Sequence, residues 1–256
     1  MSETLSYLEF GESGKPLVVL HGLFGSARNW SAIGRSLGAK RKIYALDLRN
    51  HGNSPWHDDM SYEAMAEDVA AFARAHSLGR IDLLGHSMGG KAAMMAALRH
   101  PDLIDRLIVA DVAPVTYNQV FLSYAKAMKG IDLTGLTRRS EVESQLVETV
   151  PEAGVRMFLL QNLVSEDGKL FWRVNLDALM AWMDRITSFP EVEGQSFNAP
   201  ALFLHGGNSD YVRPEYRPLI LRLFPQARFS VIPGAGHWLH AEKPQDFTTE
   251  VERFLA

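Results

Sequence analysis

A chain of 256 residues, 46% hydrophobic and 22% charged, is long enough for one large α/β domain and has the composition of a globular protein. A net charge of −4 gives no basic footprint, so neither nucleic acid nor an acidic membrane surface is expected as a partner. The absence of cysteine excludes a disulfide framework, a thiolate metal site and a thiol nucleophile.

In chain order, the opening stretch MSETLSYLEFGESGKP lacks the basic and apolar regions of a secretory signal, and no apolar run approaches the ~18 residues of a spanning helix, so a cytoplasmic location is the expectation. The run LVVL (17–20) reads as a strand and leads into the glycine-bearing loop HGLFGS (21–26). KIYALDL (42–48) is a second strand, followed by the polar loop LDLRNHGNSPW, in which Asp47, Arg49 and His51 are expected to hydrogen-bond one another in a structural role. SYEAMAEDVAAFARAHSLG predicts a helix with Ser61 as N-cap, an apolar stripe of Met65, Val69 and Phe72, and Gly79 at its end. RIDLLG (80–85) and LIVADV (107–112) are further strands, and ALFLHG (201–206) and RFSVIPG (228–234) resume the pattern later. Their apolar residues run on instead of alternating, as in strands covered on both faces, and the strand–helix alternation predicts a mostly parallel, doubly wound sheet.

The pattern breaks between Pro114 and Pro200. Four amphipathic pieces there, VFLSYAKAMKG, RRSEVESQLVETV, EAGVRMFLLQNLV and LDALMAWMDRI, predict a helical insertion over the carboxyl edge of the sheet. The expected organisation is a core of residues 1–114 and 200–256 with a cap of residues 115–199. The cap's aromatic and methionine content, including Phe121, Phe158 and Trp182, predicts an apolar cleft.

GHSMG (85–89) fits the pattern G-x-S-x-G between a predicted strand and a predicted helix, the setting of a nucleophile elbow that holds out Ser87. A serine needs a base, and His237 lies in a loop after the last strand, at the same sheet edge. An acid must orient the imidazole; position alone leaves Asp111 and Asp210 equally placed. An oxyanion would be met by the N–H of Met88 and by that of Leu23, with Phe24 as the second choice. His21 reads as a loop brace that, with Phe24, lines the site. No metal-ligand spacing, GxGxxG or phosphate-binding loop is present, so neither metal nor cofactor is expected.

Together HGLFGS, DLRNHGNS, GHSMGGKAAM, ADVAPV, GGNS and GAGHWLHAEKP resemble the α/β-hydrolase superfamily, and within it the bacterial YbfF-type acyl esterases and their mitochondrial abhydrolase-11-type cousins. The resemblance covers roughly 1–116 and 200–256; the insertion matches only in position and helical character. It implies the α/β-hydrolase fold with a helical cap inserted after the strand ending near Asp111. It also implies a serine esterase or thioesterase acting on a small acyl ester or thioester through an acyl-serine intermediate, with Ser87 as nucleophile and His237 as base. The closer match places the acid at Asp111 in ADVAPV, with Ser209 lining the site and supporting His237, whereas the wider superfamily carries its acid in a G-x-x-D loop such as Gly207–Asp210. Two other activities occur on this fold: a pyruvate-eliminating lyase of menaquinone synthesis, which needs basic groups for an acidic substrate, and a non-catalytic ligand receptor.

Overall fold

The apolar runs become strands because successive side chains serve opposite faces of a covered sheet. In a computed structural model that describes residues 4–118 and 120–256, Leu17 and Val19 pack into one apolar cluster and Val18 and Leu20 into another. The first three residues of the opening stretch and residue 119 of the expected insertion lie outside the described residues.

The strands are β1 (Tyr7–Phe10), β2 (Pro16–Leu20), β3 (Lys42–Leu46), β4 (Ile81–His86), β5 (Ile104–Ala110), β6 (Leu163–Glu166), β7 (Lys169–Trp172), β8 (Ala201–Gly206) and β9 (Ala227–Ile232). The helices are α1 (Ser31–Leu37), α2 (Tyr62–Ala75), α3 (Met88–Arg99), α4 (Val120–Gly130), α5 (Arg139–Leu146), α6 (Ala153–Leu159), α7 (Leu176–Thr187), α8 (Arg217–Leu223), α9 (Leu239–Glu242) and α10 (Pro244–Leu255). Seven strands form one sheet in the order β1-β3-β2-β4-β5-β8-β9, parallel throughout except that β1 runs antiparallel to β3. On one face, Met65 and Val69 of α2 and Met94 of α3 join Val18 and Leu20; on the other, Ile33 and Leu37 of α1 and Phe247 and Val251 of α10 join Leu17 and Val19. Ser61 caps α2 as expected, its hydroxyl accepting from the N–H of Ala64 at 3.2 Å. No described helix is long and apolar enough to cross a membrane.

Three details depart from the sequence reading. The edge strand β1 was not expected, because its half-exposed YLEF segment offers no apolar run. Asp111 does not end β5; it is the residue after it, held at φ 51° as the chain turns off the sheet. The insertion between β5 and β8 contains α4–α7 but also the antiparallel hairpin β6–β7, where EAGVRMFLLQNLV had read as continuous helix. The hairpin closes on Asp167 and Gly168, both at positive φ (49° and 75°), the backbone that Asp-Gly favours in a two-residue turn. That dipeptide was the signal to read.

The turn from β4 into α3 holds Ser87 at φ 53°, ψ −120°, a conformation a non-glycine residue adopts only when its surroundings impose it. Here the flanking glycines are obligatory. A Cβ on Gly85 would lie 2.0 Å from the carbonyl oxygen of Gly89, and one on Gly89 would lie 2.4 Å from that of His21. Because the obstruction is backbone, it cannot swing aside. Gly85→Ala is therefore expected to lower stability by about 2 kcal/mol or more, measurable as a drop in the urea midpoint relative to the native chain.

Candidate active site

Parallel strands deliver their carboxyl ends to one rim, and three loops there meet. Ser87 follows β4, Asp111 follows β5, and His237 lies in the loop between β9 and α9. Residues 150 apart in sequence are brought into contact: His237 Nε2 lies 3.1 Å from Ser87 Oγ. On its other side His237 Nδ1 lies 2.7 Å from Asp111 Oδ2. Asp111 is fully buried, and its carboxylate accepts two further bonds, from the Gly206 N–H at 3.0 Å and the Ser209 hydroxyl at 2.5 Å. An ionised carboxylate accepts only, so Nδ1 carries the imidazole proton and Nε2 faces the serine with a free lone pair.

The two candidate acids are thereby separated. Asp210 is exposed on the surface, and no bond from its carboxylate to His237 is found among the described residues. Ser209, expected to line the site, is not among the residues lining the spaces beside Ser87; its hydroxyl donates to Asp111 and accepts from the N–H of Tyr211 at 3.3 Å.

The oxyanion candidates are separated in the same way. Phe24 N–H donates to His51 Nε2 at 3.2 Å and is thus occupied, while His51 Nδ1 donates to the Arg49 carbonyl at 2.9 Å. No such bond engages the N–H of Leu23 among the described residues, and Met88 opens α3, where the first N–H groups have no partner within the helix. Both residues border Ser87. His21 braces the same loop as expected: it donates through Nδ1 to Gly22 O at 2.8 Å and accepts from Leu48 N–H at 3.0 Å. The expected bonding among Asp47, Arg49 and His51 side chains does not occur. Asp47 instead accepts from the N–H groups of Ala27 and Asn53, and Arg49 pairs with Asp68 and with two carbonyls of the α2 region. Both hold loops in place, which is the structural role foreseen for them.

A family model of the alpha/beta hydrolase fold matches residues 15–244. The chain belongs to the α/β-hydrolase family. Among the relatives of this α/β hydrolase, the sn-1-specific diacylglycerol lipase ABHD11 of Mus musculus is 43% identical over 98% of this chain and 85% of its own. Esterase YbfF of Escherichia coli is 38% identical over 95% of this chain and 94% of its own. A solved structure titled a marine microorganism esterase superimposes with a TM-score of 0.95 at 42% identity, covering 99% of this chain and all of that one.

In this α/β hydrolase, Ser87 looks into two spaces. A cavity of about 290 Å³ is lined by His237, His86 and Trp30 from the core and by Phe121, Tyr124 and Phe158 from the insertion. His21 and Phe24 also line it. A pit of about 20 Å³ also borders the serine, against Met88 and Val112. No group of residues able to hold a metal ion is found among the described residues.

Sequence reasoning missed three contributors. Tyr211 stacks on the His237 ring at 3.9 Å between centroids, and His86 donates through Nε2 to the His237 carbonyl at 2.8 Å. Lys91 is buried, its ammonium donating to the carbonyls of Val115, Thr187 and Ser188 at 2.7–2.8 Å. The signals were present in GHSMGGK and NSDYV, but a side chain that binds only backbone or another ring leaves no spacing rule to read.

Burial holds four histidines around the site neutral. Desolvation lowers His21 to about 4 and His51 and His240 to about 3, and it pushes His86 well below its ordinary value. Each stays unprotonated when folded but takes a proton on unfolding once the pH falls below about 6.5, so stability declines as the pH drops from there toward 4. Urea unfolding at intervals from about pH 7.5 to 4.5 should give a slope for the native chain that exceeds that of His51→Asn by up to about 1.4 kcal/mol per pH unit, whatever the absolute stability of the variant.

Proposed function

We propose that this chain hydrolyses carboxylic esters through an acyl-Ser87 intermediate. The observation that carries the reading is the continuous hydrogen-bonded path from Ser87 through His237 to the buried Asp111, ending at an open cavity. His237 Nε2 takes the Ser87 proton as Oγ attacks the carbonyl carbon, and Asp111 stabilises the imidazolium that forms. The N–H groups of Leu23 and Met88, beside the dipole of α3, receive the developing oxyanion. His237 then protonates the departing alcohol, leaving the acyl group on Oγ. Water then attacks the acyl carbon as it gives a proton to Nε2, and collapse of the tetrahedral species breaks the bond to Oγ, which takes that proton back from His237 as the acid leaves. A thioester passes through the same steps.

Residues 115–199 act in this reading as a cap that roofs the cavity, and 1–114 with 200–256 as the core that holds the reacting groups. The names of the relatives, a lipase and two esterases, support ester chemistry. The lyase alternative draws no support: the described residues lining the large cavity include no lysine or arginine, and the lysine at the pit already serves three carbonyls.

Two expected outcomes test the assignment. A fluorophosphonate probe should label the native protein at one site, and Ser87→Ala should abolish both labelling and turnover of p-nitrophenyl acetate; a labelled Ser87→Ala protein would defeat it. Asp111→Asn should lower kcat by roughly three to four orders of magnitude, while Asp210→Asn stays within about twofold of the native enzyme, read from steady-state kinetics at neutral pH.

A further inference from the structure

The two spaces beside Ser87 differ more than tenfold in volume, about 290 Å³ against about 20 Å³, and they differ in which reacting group they contain. His237 lines the large cavity, not the pit. The pit is bounded by Leu23 and Met88, which carry the two oxyanion N–H groups, and by Val112, Lys91, Ile186 and Tyr211. The proton delivered during ester cleavage comes from His237 Nε2, so the leaving oxygen has to sit on the His237 side of the reacting carbon. With the oxyanion between Leu23 and Met88, the position left for the acyl chain is the one over the pit.

We propose that the pit is the acyl subsite and the large cavity the leaving-group subsite, making the enzyme selective for esters of short carboxylic acids with bulky, apolar alcohols. This assignment rests on the ester-hydrolase reading above and names the substrate class of the same site. A space that exceeds the minimum for one water by little has room for a methyl or ethyl group, so the acyl group it accepts has about two to three carbons.

The pit is also built so as not to yield. Lys91, on the first turn of α3, donates its three N–H bonds to Val115 on the chain entering the insertion and to Thr187 and Ser188 on the chain leaving it. Tyr117, whose ring lies 4.8 Å from the Lys91 ammonium, donates to the Tyr211 carbonyl at 2.6 Å and accepts from the Ala113 N–H at 2.7 Å. Every bond in this frame joins the Lys91 or Tyr117 side chain to backbone, so the main-chain segments around the pit are tied to one another. The roof of the large cavity is of another kind. Met157 there is 62% exposed, and flexible thioether and aromatic side chains re-pack around ligands of different shape.

The test is a series of p-nitrophenyl esters from acetate to decanoate, together with acetates of alcohols from ethanol to 2-naphthol. The native enzyme should show kcat/KM highest at acetate to propionate and at least tenfold lower at octanoate. Across the acetates it should hold or gain activity with the larger alcohols. Ile186→Ala and Val112→Ala each remove pit wall without touching a reacting group; at least one should raise the octanoate-to-acetate ratio of kcat/KM tenfold or more. A native profile that rises beyond hexanoate overturns the assignment, as does an unchanged ratio in both folded variants. Those outcomes leave fluorophosphonate labelling of Ser87 intact. No labelling and no turnover of any ester would bring down the hydrolase reading itself.

Discussion

One fully buried carboxylate, on a residue forced to positive φ just past a strand, fixes the orientation of the imidazole on which the site depends. Asp111 is held by a backbone N–H from the neighbouring strand end, by the Ser209 hydroxyl and by His237 itself. The Gly206 and Ser209 donors fix the carboxylate, and the Oδ2 lone pair left to it takes the Nδ1–H of His237, which turns Nε2 toward Ser87. The sheet supplies what makes this possible: β4, β5 and β8 lie side by side, so their carboxyl ends present Ser87, Asp111 and Gly206 within a few ångströms of one another. Tyr211 stacks on the ring, and His86 holds the loop by bonding to the main-chain carbonyl of His237.

The loop after β2 is arranged with the same economy, but by neutral groups. His21 and His51 each donate through Nδ1 and accept through Nε2, and the two rings lie 5.0 Å apart. Only uncharged imidazole can do both at once, because the protonated ring has no lone pair to accept with. Burial enforces that state. His51 engages the Phe24 N–H, and Leu23, its neighbour in the loop, borders the same space as Ser87.

Much of this was legible in the residues. The six apolar runs gave their strands to within a few residues, and the pairing of Ser87 with His237 followed from both lying at the carboxyl edge of a parallel sheet. What escaped was anything whose cause lies across the fold. The choice between Asp111 and Asp210 is one of burial, which neither residue's neighbours in sequence reveal. The half-exposed β1 owes its strand to pairing with β3 rather than to its own pattern. The hairpin β6–β7 was masked because Leu163 and Val164 extend the apolar face of the preceding helical segment, and only Asp167-Gly168 marks the reversal. Lys91 looked like one more helix former, yet it sits where a chain ordinarily places an apolar residue.

Lys91 also bears on how such a scaffold can change over time. Its ammonium grips the insertion at both roots, and the atoms it grips are main-chain oxygens, present whatever residue stands at 115, 187 or 188. The mooring is therefore blind to side-chain identity in the segment it secures. The segment between residues 115 and 187 could therefore differ in length or composition and still be tied to α3, provided its two ends return their carbonyls to the lysine.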